Sequence, residues 1–218
     1  WSIAFLPDGN IFVTERGGRL RIIRNGVLDP NPVAGVPRVQ AAGLQGLMDV
    51  VLHPRFADNH YVYLSYHKPV PIPGAPPTAS GAPAMAGETT LARGTWNGTA
   101  LTDVHDIFES GATRTESSRI GFGRDGMLYM TTVATAKAED AQDLKSQSGK
   151  VLRFKDDGTI PTDNPFASRA DAKKEIYTLG HRSSLGLTVH PVTGEMWLNE
   201  NGPNGGDEIN ILKPGKNY

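Results

Sequence analysis

The chain has 218 residues, of which 38% are hydrophobic, and its 22 basic and 23 acidic residues give a net charge of −1 at pH 7. A chain of this size can bury a core, and its balanced charge offers no basic surface for nucleic acid or an anionic membrane. The absence of cysteine excludes disulfides, thiolate metal sites and a cysteine nucleophile. No apolar run approaches the ~20 residues that span a bilayer, so membrane insertion is not expected.

Four segments share one plan of alternating strand, turn and alternating strand: residues 3–15, 50–66, 120–132 and 187–200. Their turns contain Pro-Asp-Gly, Arg-Asp-Gly or Thr-Gly, which tolerate positive φ, and their flanks carry Phe, Val, Tyr, Leu and Trp. Each segment is therefore predicted to be a β-hairpin. Further strand-like pieces between them ("GGRLRIIR", "TTLARGTW", "SGKVLRFK", "DEINILK") indicate successive four-stranded blades of a β-propeller.

Two segments do not follow the strand pattern. The run at 69–87 is rich in Pro, Gly and Ala, and we predict that it is an exposed loop within a blade because it cannot pair as a strand. Only residues 137–148 have a helical pattern, long enough for one or two short turns. We otherwise expect a single, partial propeller domain over residues 1–218.

A family resemblance rests on ordered segments spread over nearly the whole chain. "WSIAFLPDGNIFVTERGGRLRII", "GLMDVVLHPRFADNHYVYLSY", "GKVLRFKDDGTIPTDNPF", "EIYTLGHR" and "NENGPNGGDEINILKPGKNY" resemble the soluble PQQ-dependent glucose and sorbosone (aldose sugar) dehydrogenases. The resemblance implies an all-β, six-bladed propeller of the quinoprotein glucose dehydrogenase type. It also implies pyrroloquinoline quinone (PQQ) and calcium as cofactors, and a periplasmic or secreted location. The chain opens without a charged-then-apolar leader, so we expect any export signal to be removed or outside this sequence.

The resemblance also implies a set of site residues. Gly202 and Pro203 match the Gly-Pro pair whose backbone carbonyls hold the quinone's calcium, and Arg182 matches an arginine that contacts the quinone. Glu208 and the backbone of Tyr218 match ligands of a second, structural calcium. Calcium takes six to eight oxygen ligands, and a sharp turn exposes carbonyls that a strand would use in its ladder. An ordinary blade turn over 204–207 is the alternative interpretation.

The position of the family's general base is different in this chain. The resemblance places a histidine there, which takes the sugar hydroxyl proton while a hydride passes to the quinone. This chain has Thr115 at that position, and a threonine cannot act as a base. The neighbouring Glu116 has suitable chemistry, but strand alternation would turn it to the opposite side. No catalytic residue is therefore assigned.

Three further family marks are changed. Leu44 precedes Gln45 where the family has Gln-Gly-Gly, Ser183 follows the arginine in place of asparagine, and Val133-Ala134 replaces a Gly-Asp. Among the polar quinone contacts only Arg182 remains. Among the six histidines, which we expect to be ordinary turn or surface residues, His181 stands out because it borders the expected pocket and the family also has a histidine there.

Two functions follow from these observations. The first is a diverged oxidoreductase that acts on a sugar or another alcohol, with PQQ and calcium as cofactors. The second is a catalytically inactive, calcium-stabilised propeller that serves as a binding or interaction module, since a fold does not carry its function with it.

The length of the chain predicts a partner. At roughly 40 to 50 residues per blade, 218 residues supply about four blades, whereas the resemblance implies six. An open arc would leave strand edges and apolar faces exposed to water. We therefore expect additional polypeptide, from this chain or another, to complete the propeller, with a sugar as a possible ligand.

Overall fold

The computed structural model of the protein describes residues 1–111, 117–134 and 137–218. Within these ranges the chain forms antiparallel sheets whose neighbouring strands follow one another in sequence. The helical segments are short: α1 (Phe56–Asn59) and a 3-10 helix (Ala138–Ala141). The second confirms the prediction of brief helical turns within 137–148. Among the described residues, no helix has the length and apolar character needed to cross a bilayer.

The chain divides into two compact units, each with two sheets. The first unit comprises Trp1–Leu52 and Ala57–Arg114, and the second comprises His53–Phe56 and Thr115–Tyr218. The prediction of a single domain over 1–218 stays a prediction.

The first unit has two four-stranded sheets. One sheet has the strand order β1 (Ile3–Phe5), β2 (Ile11–Glu15), β3 (Arg19–Arg24) and β4 (Val27–Leu28). The other has the order β5 (Leu47–Leu52), β6 (Tyr61–Pro71), β7 (Met85–Trp96) and β8 (Leu101–Glu109). The long strands β6 and β7 pair from Tyr61 opposite Thr95 to Pro71 opposite Met85.

The second unit has one four-stranded and one three-stranded sheet. The four-stranded sheet contains β9 (Ile120–Phe122), β10 (Leu128–Thr131), β11 (Lys150–Phe154) and β12 (Ile176–Leu179). The three-stranded sheet contains β13 (Ser184–Val189), β14 (Met196–Glu200) and β15 (Glu208–Ile211). The four predicted hairpins correspond to β1–β2, β5–β6, β9–β10 and β13–β14, which confirms them.

The turns of the first and third hairpins are built in the same way. In the first, the Gly9 N–H donates to Leu6 O at 3.0 Å, and the Asn10 N–H donates to the Asp8 carboxylate at 3.0 Å. In the third, the Gly126 N–H donates to Gly123 O at 3.0 Å, and the next N–H donates to the Asp125 carboxylate at 3.1 Å. Both turn glycines have positive φ, which explains the repeated Asp-Gly pair.

The prediction of a loop over 69–87 was wrong at both ends, because β6 continues to Pro71 and β7 begins at Met85. The His67 N–H points to the β5 side and donates to Gly46 O, whereas the Ile72 N–H donates to Ala84 O on the β7 side. N–H directions alternate along a strand, so the nitrogen atoms of Pro69 and Pro71 face the β5 side of β6. They lie beyond the β5–β6 pairing, which stops at Leu47 opposite Tyr66. No donor is needed there, and both prolines are tolerated. Residues 72–84 are irregular and largely exposed.

An apolar cluster joins the two sheets of the second unit. Tyr129 of β10 and Val151 of β11 pack with Met196 and Leu198 of β14 and with Leu212, which follows β15. All five side chains are buried. Because β14 contributes two of them, the core fixes the position of this strand. Its last residue, Glu200, lines the cavity described below.

Candidate functional site

A cavity of ≈ 130 Å³ lies beyond the end of β14, entirely within the second unit. Its lining includes the cofactor and calcium residues that the family resemblance implied: Arg182, Gly202, Pro203, Glu208 and Tyr218. Its lining is formed by Gly180, Arg182, Glu200, Asn201, Gly202, Pro203, Gly206, Glu208 and Tyr218. Small-molecule sites usually have volumes of about 300–1,000 Å³, so this cavity has the size of a part of such a site.

The turn between β14 and β15 forms one wall of the cavity. The Gly202 N–H donates to the Asp207 carboxylate at 2.9 Å, which closes the turn on itself. A side chain at Gly202 would collide with the carbonyl oxygen of Gly205, so this position requires glycine. Gly205 and Gly206 both have positive φ. The glycine-rich sequence thus brings main-chain carbonyls to the cavity wall.

Arg182 reaches across to this turn. Its Nη1 donates to Asn201 O at 2.9 Å and to Gly202 O at 3.3 Å. Its Nε and Nη2 have no hydrogen-bond partner among the described residues, so they remain available to an anionic ligand. A guanidinium with two free donors suits a carboxylate, which it can bind in a bidentate manner.

Glu200 is a buried carboxylate at the base of the cavity. Its Oε1 accepts from His181 Nδ1 at 2.8 Å and from Asn210 Nδ2 at 2.9 Å, and its Oε2 accepts from the Arg182 N–H at 2.9 Å. Burial alone would raise the pKa of Glu200, but the hydrogen bonds from these three residues stabilise the ionised form and hold its pKa below the ordinary value.

His181 is fully buried behind Arg182. Because its Nδ1 faces the Glu200 carboxylate, Nδ1 carries a proton, and Nε2 lies 2.8 Å from the Thr178 hydroxyl. Its ring stacks on Tyr218 with centroids 5.1 Å apart and an interplanar angle of 22°. The histidine that the sequence singled out thus lies behind the cavity wall and does not line the cavity.

Tyr218 is held on several sides. Its N–H donates to Leu179 O at 3.0 Å, and its hydroxyl donates to Ile211 O at 2.6 Å. Gly180 lies against its carbonyl group, so closely that a side chain at position 180 would collide with that oxygen. This packing places the Tyr218 main chain beside the cavity, where the family resemblance implies a calcium ligand.

The donors around the cavity are compatible with calcium but do not complete its coordination. The carbonyl groups of Gly202 and Pro203 and the carboxylate of Glu208 are oxygen donors, the type that calcium prefers. Glu208 Oε2 accepts from Asn210 Nδ2 at 3.1 Å, and Gly202 O accepts from Arg182, so each oxygen keeps one lone pair. In the described part of the chain, no group of three or more His, Cys, Asp or Glu side chains could hold a metal. Each of the two implied calcium ions, one at Gly202 and Pro203 and one at Glu208, would need further oxygens from a ligand, water or additional polypeptide.

Other positions named from the sequence are not part of the cavity lining. Thr115 and Glu116 lie outside the described residues. Leu44 belongs to the first unit, where its side chain is exposed. Ala134 adjoins the site through its backbone, since its N–H donates to Arg182 O at 2.9 Å. Ser183 likewise contributes its carbonyl group, which accepts from the Asn201 N–H at 3.0 Å.

Sequence reasoning missed Glu200, Thr178 and Asn210. Their roles depend on partners 3 to 19 residues away in the chain. One signal was present: Glu200 ends an alternating apolar strand, "MWLNE", in the position where Glu15 ends "IFVTE". The two differ in their partners, since Glu15 binds exposed Arg19 whereas Glu200 is buried.

Comparison with known proteins identifies the family. The family model for glucose/sorbosone dehydrogenase matches residues 1–218. The chain belongs to this family. It is 37% identical over 223 residues to the aldose sugar dehydrogenase YliI of Escherichia coli (strain K12), and the match covers 100% of this chain and 57% of that protein.

Solved structures of family members agree with the fold. The soluble aldose sugar dehydrogenase of Escherichia coli, in its apo-form, has a TM-score of 0.87 at 36% identity and is matched over 100% of this chain and 61% of its own. The PQQ-bound aldose sugar dehydrogenase of Streptomyces coelicolor has a TM-score of 0.81 at 28% identity, with the same coverage. These matches confirm a β-propeller of the quinoprotein glucose dehydrogenase type with about four blades in this chain. The chain spans a little over half of the length of these relatives.

Proposed function

We propose that this chain is part of a PQQ-dependent sugar dehydrogenase and that the cavity beyond β14 forms part of its cofactor site. One observation carries the proposal: the fold brings Arg182, Gly202, Pro203, Glu208 and Tyr218 to the same cavity. Membership of the family supports the reaction class, and the PQQ-bound relative supports the cofactor. The substrate class is an aldose sugar or another alcohol.

Each residue has a role in this proposal. Arg182 binds a carboxylate of the quinone through the donors that its backbone contacts leave available. The Gly202 and Pro203 carbonyls bind the calcium of the quinone, and Glu208 with the Tyr218 main chain binds a second, structural calcium. When bound, the quinone supplies an acceptor for the substrate's hydride, and calcium polarises it.

The proposal assigns no residue of this chain as the proton acceptor. Thr115 stands at the family's base position and cannot take a proton at neutral pH. We propose that sugar oxidation is weak for this reason and that Thr115→His alone does not restore it, because Leu44, Ser183 and Ala134 also differ from the family. High turnover in that single variant would contradict this part. The described residues offer no specific observation in favour of the inactive binding module.

The proposal includes additional polypeptide that completes the propeller and a periplasmic or secreted location. In the first unit, Phe5 is 66% exposed on β1, and in the second, Ile209 is 72% exposed on β15. Exposed apolar side chains on strands at the edge of a sheet suit contact with further blades. Native mass spectrometry of the purified protein tests this part, since a monodisperse species of 23.4 kDa with cooperative unfolding would contradict it.

Cofactor binding is tested by titrating the purified protein, together with the polypeptide that completes the propeller, with PQQ in the presence of Ca²⁺, followed by absorbance and calorimetry. We expect saturable binding that weakens about 10- to 100-fold in Arg182→Ala, the range expected for loss of a hydrogen bond to a charged group. Arg169→Ala is the matched control, because Arg169 is exposed and pairs with Asp171. Absence of any absorbance change and heat in the wild-type protein would contradict the proposed function.

A further inference from the structure

We infer that Glu200 is a positioning residue for the cofactor site, and this inference rests on the proposed function. Its carboxylate accepts from three donors that belong to two segments of the chain. These are the His181 ring, the Arg182 main chain and the Asn210 side chain. A carboxylate accepts up to about four hydrogen bonds, so three of its acceptor positions are used inside the protein.

The Arg182 side chain and main chain are held by the same short segment. Glu200 accepts the Arg182 N–H, while Arg182 Nη1 donates to the carbonyls of Asn201 and Gly202, which directly follow Glu200. The contacts form a closed ring that fixes the direction of the guanidinium. The same ring sets the orientation of the Gly202 carbonyl, which is a proposed calcium donor.

A second connection runs through His181 to Tyr218. Glu200 fixes the His181 ring through Nδ1, and Thr178 supports it at Nε2. The ring then provides the surface on which Tyr218 stacks. A single buried carboxylate therefore holds the arginine, the carbonyl turn and the tyrosine. Residues in this relation to a metal site commonly change affinity about 10- to 100-fold when they are replaced.

The variant Glu200→Gln tests the inference because it keeps the size of the side chain but replaces one acceptor oxygen with an amide donor. The amide oxygen faces the two donors of His181 and Asn210, because the opposite orientation would set the NH2 group against both of them. The NH2 group then replaces the acceptor of the Arg182 N–H, and the closed ring is broken at that contact. The matched control is Glu195→Gln. Glu195 is in the same sheet region, but it is bound to exposed Lys213 and lies away from the cavity lining.

Two measurements are needed. Amide hydrogen exchange of Arg182 in the cofactor-free protein directly reports the hydrogen bond from the Arg182 N–H to Glu200. We expect this exchange to be about 10-fold faster in Glu200→Gln. Titration with PQQ and Ca²⁺ reports the consequence, and we expect affinity to fall about 10- to 100-fold. Neither value should change in Glu195→Gln.

The outcomes separate this inference from the proposed function. Wild-type protein that binds no quinone contradicts the proposed function and leaves Glu200 nothing to position. Wild-type protein that binds quinone, with equal affinity in Glu200→Gln, overturns only the inference, as does unchanged exchange of the Arg182 amide. If Glu200→Gln does not fold by circular dichroism, Thr178→Val decides, because it releases His181 Nε2 and leaves Glu200 in place. We expect a smaller loss of affinity in that variant, and an unchanged affinity would overturn the inference.

Discussion

The two sheets of the second unit each bury a charged side chain, but they satisfy it differently. Lys150, at the start of β11, donates from Nζ to the carbonyls of Asp140 at 2.7 Å, Ala141 at 3.0 Å and Ser148 at 2.7 Å. Glu200, at the end of β14, binds three donors and also lines the cavity. The ammonium has three hydrogens and uses all of them, whereas the carboxylate keeps acceptor capacity.

The difference in hydrogen bonding distinguishes Lys150, a structural charge, from Glu200, a charge that serves the cavity. The hydrogen-bond acceptors of Lys150 Nζ are all neutral main-chain carbonyls. Burial lowers the pKa of Lys150 to about 8, although the nearby charges of Asp143 and Asp140 partly offset this effect. Its ammonium holds the segment around the 3-10 helix to β11. Glu200 instead holds groups that face a cavity, so its partners can respond to a ligand. A buried charge therefore indicates function when its partners line a cavity, and its burial alone does not.

The largest expected effect is that of Lys150→Met on stability. The change removes the donor of three buried carbonyls, and we expect the free energy of unfolding to fall by about 3 kcal/mol. The loss is limited because Ala141 O also accepts from the Gly180 N–H. Urea denaturation measures the change, with exposed Lys145→Met as the control. A loss equal to that of the control would mean that Lys150 is not a structural charge.

Calcium should stabilise the sheet that contains the cavity. A ligand that binds only the folded state at ~100 times its Kd adds roughly 2.7 kcal/mol, which corresponds to about 5–10 °C in Tm for a chain of this length. We expect a chelator to lower Tm by this amount and to speed amide exchange in β13–β15. The difference should shrink in Glu208→Gln. An identical melting curve with and without chelator would remove calcium from the proposed site.

Acid should distinguish Glu200 from other carboxylates. Its pKa is below the ordinary value of 4.5 in the folded protein, so its contribution to stability is complete above that value and is lost as pH falls through the folded pKa. We expect the stability of the wild-type protein to fall more steeply than that of Glu200→Gln as the pH falls below the ordinary value of 4.5. Parallel urea midpoints of the two proteins over this range would contradict the prediction.

The most local expected effect is the titration of Lys150. Its pKa is lowered from 10.5 to about 8, so between these values the unfolded chain binds a proton that the folded chain does not. The contribution of Lys150 to stability therefore rises as pH increases through this window. The 13Cε chemical shift of Lys150 should titrate near pH 8, with that of exposed Lys145 as a reference. The same midpoint for Lys150 and Lys145 would contradict it.

The hairpins could be predicted because their signals are local. The Asp-Gly turns at 8–9 and 125–126 supply both the positive φ and the side-chain acceptor that the turns use. Residues 69–71 and 85–87 could not be assigned in the same way. Whether proline is tolerated there depends on which side of β6 has a neighbouring strand, and that is a property of the sheet.

The predicted site residues were found together for two different reasons. Gly202 and Pro203 are adjacent in sequence, and the turn that exposes them requires glycine at position 202. Arg182 and Tyr218 meet them only through pairing of β13 with β14 and through the contact of the chain end with β12. The family resemblance brought these residues into one prediction, since no local pattern connects them.

By itself the sequence determined the alternating strands, the glycine turns and the family, because each depends on neighbouring residues or on motifs in order along the chain. Only the tertiary structure decided which charges are structural and which serve the cavity. Lys150 is the first residue of one largely apolar strand and Glu200 is the last residue of another, and neither sequence shows which charge serves a cavity. The partners of Glu200 lie 19, 18 and 10 residues away, and they converge because the sheets pack on one apolar core.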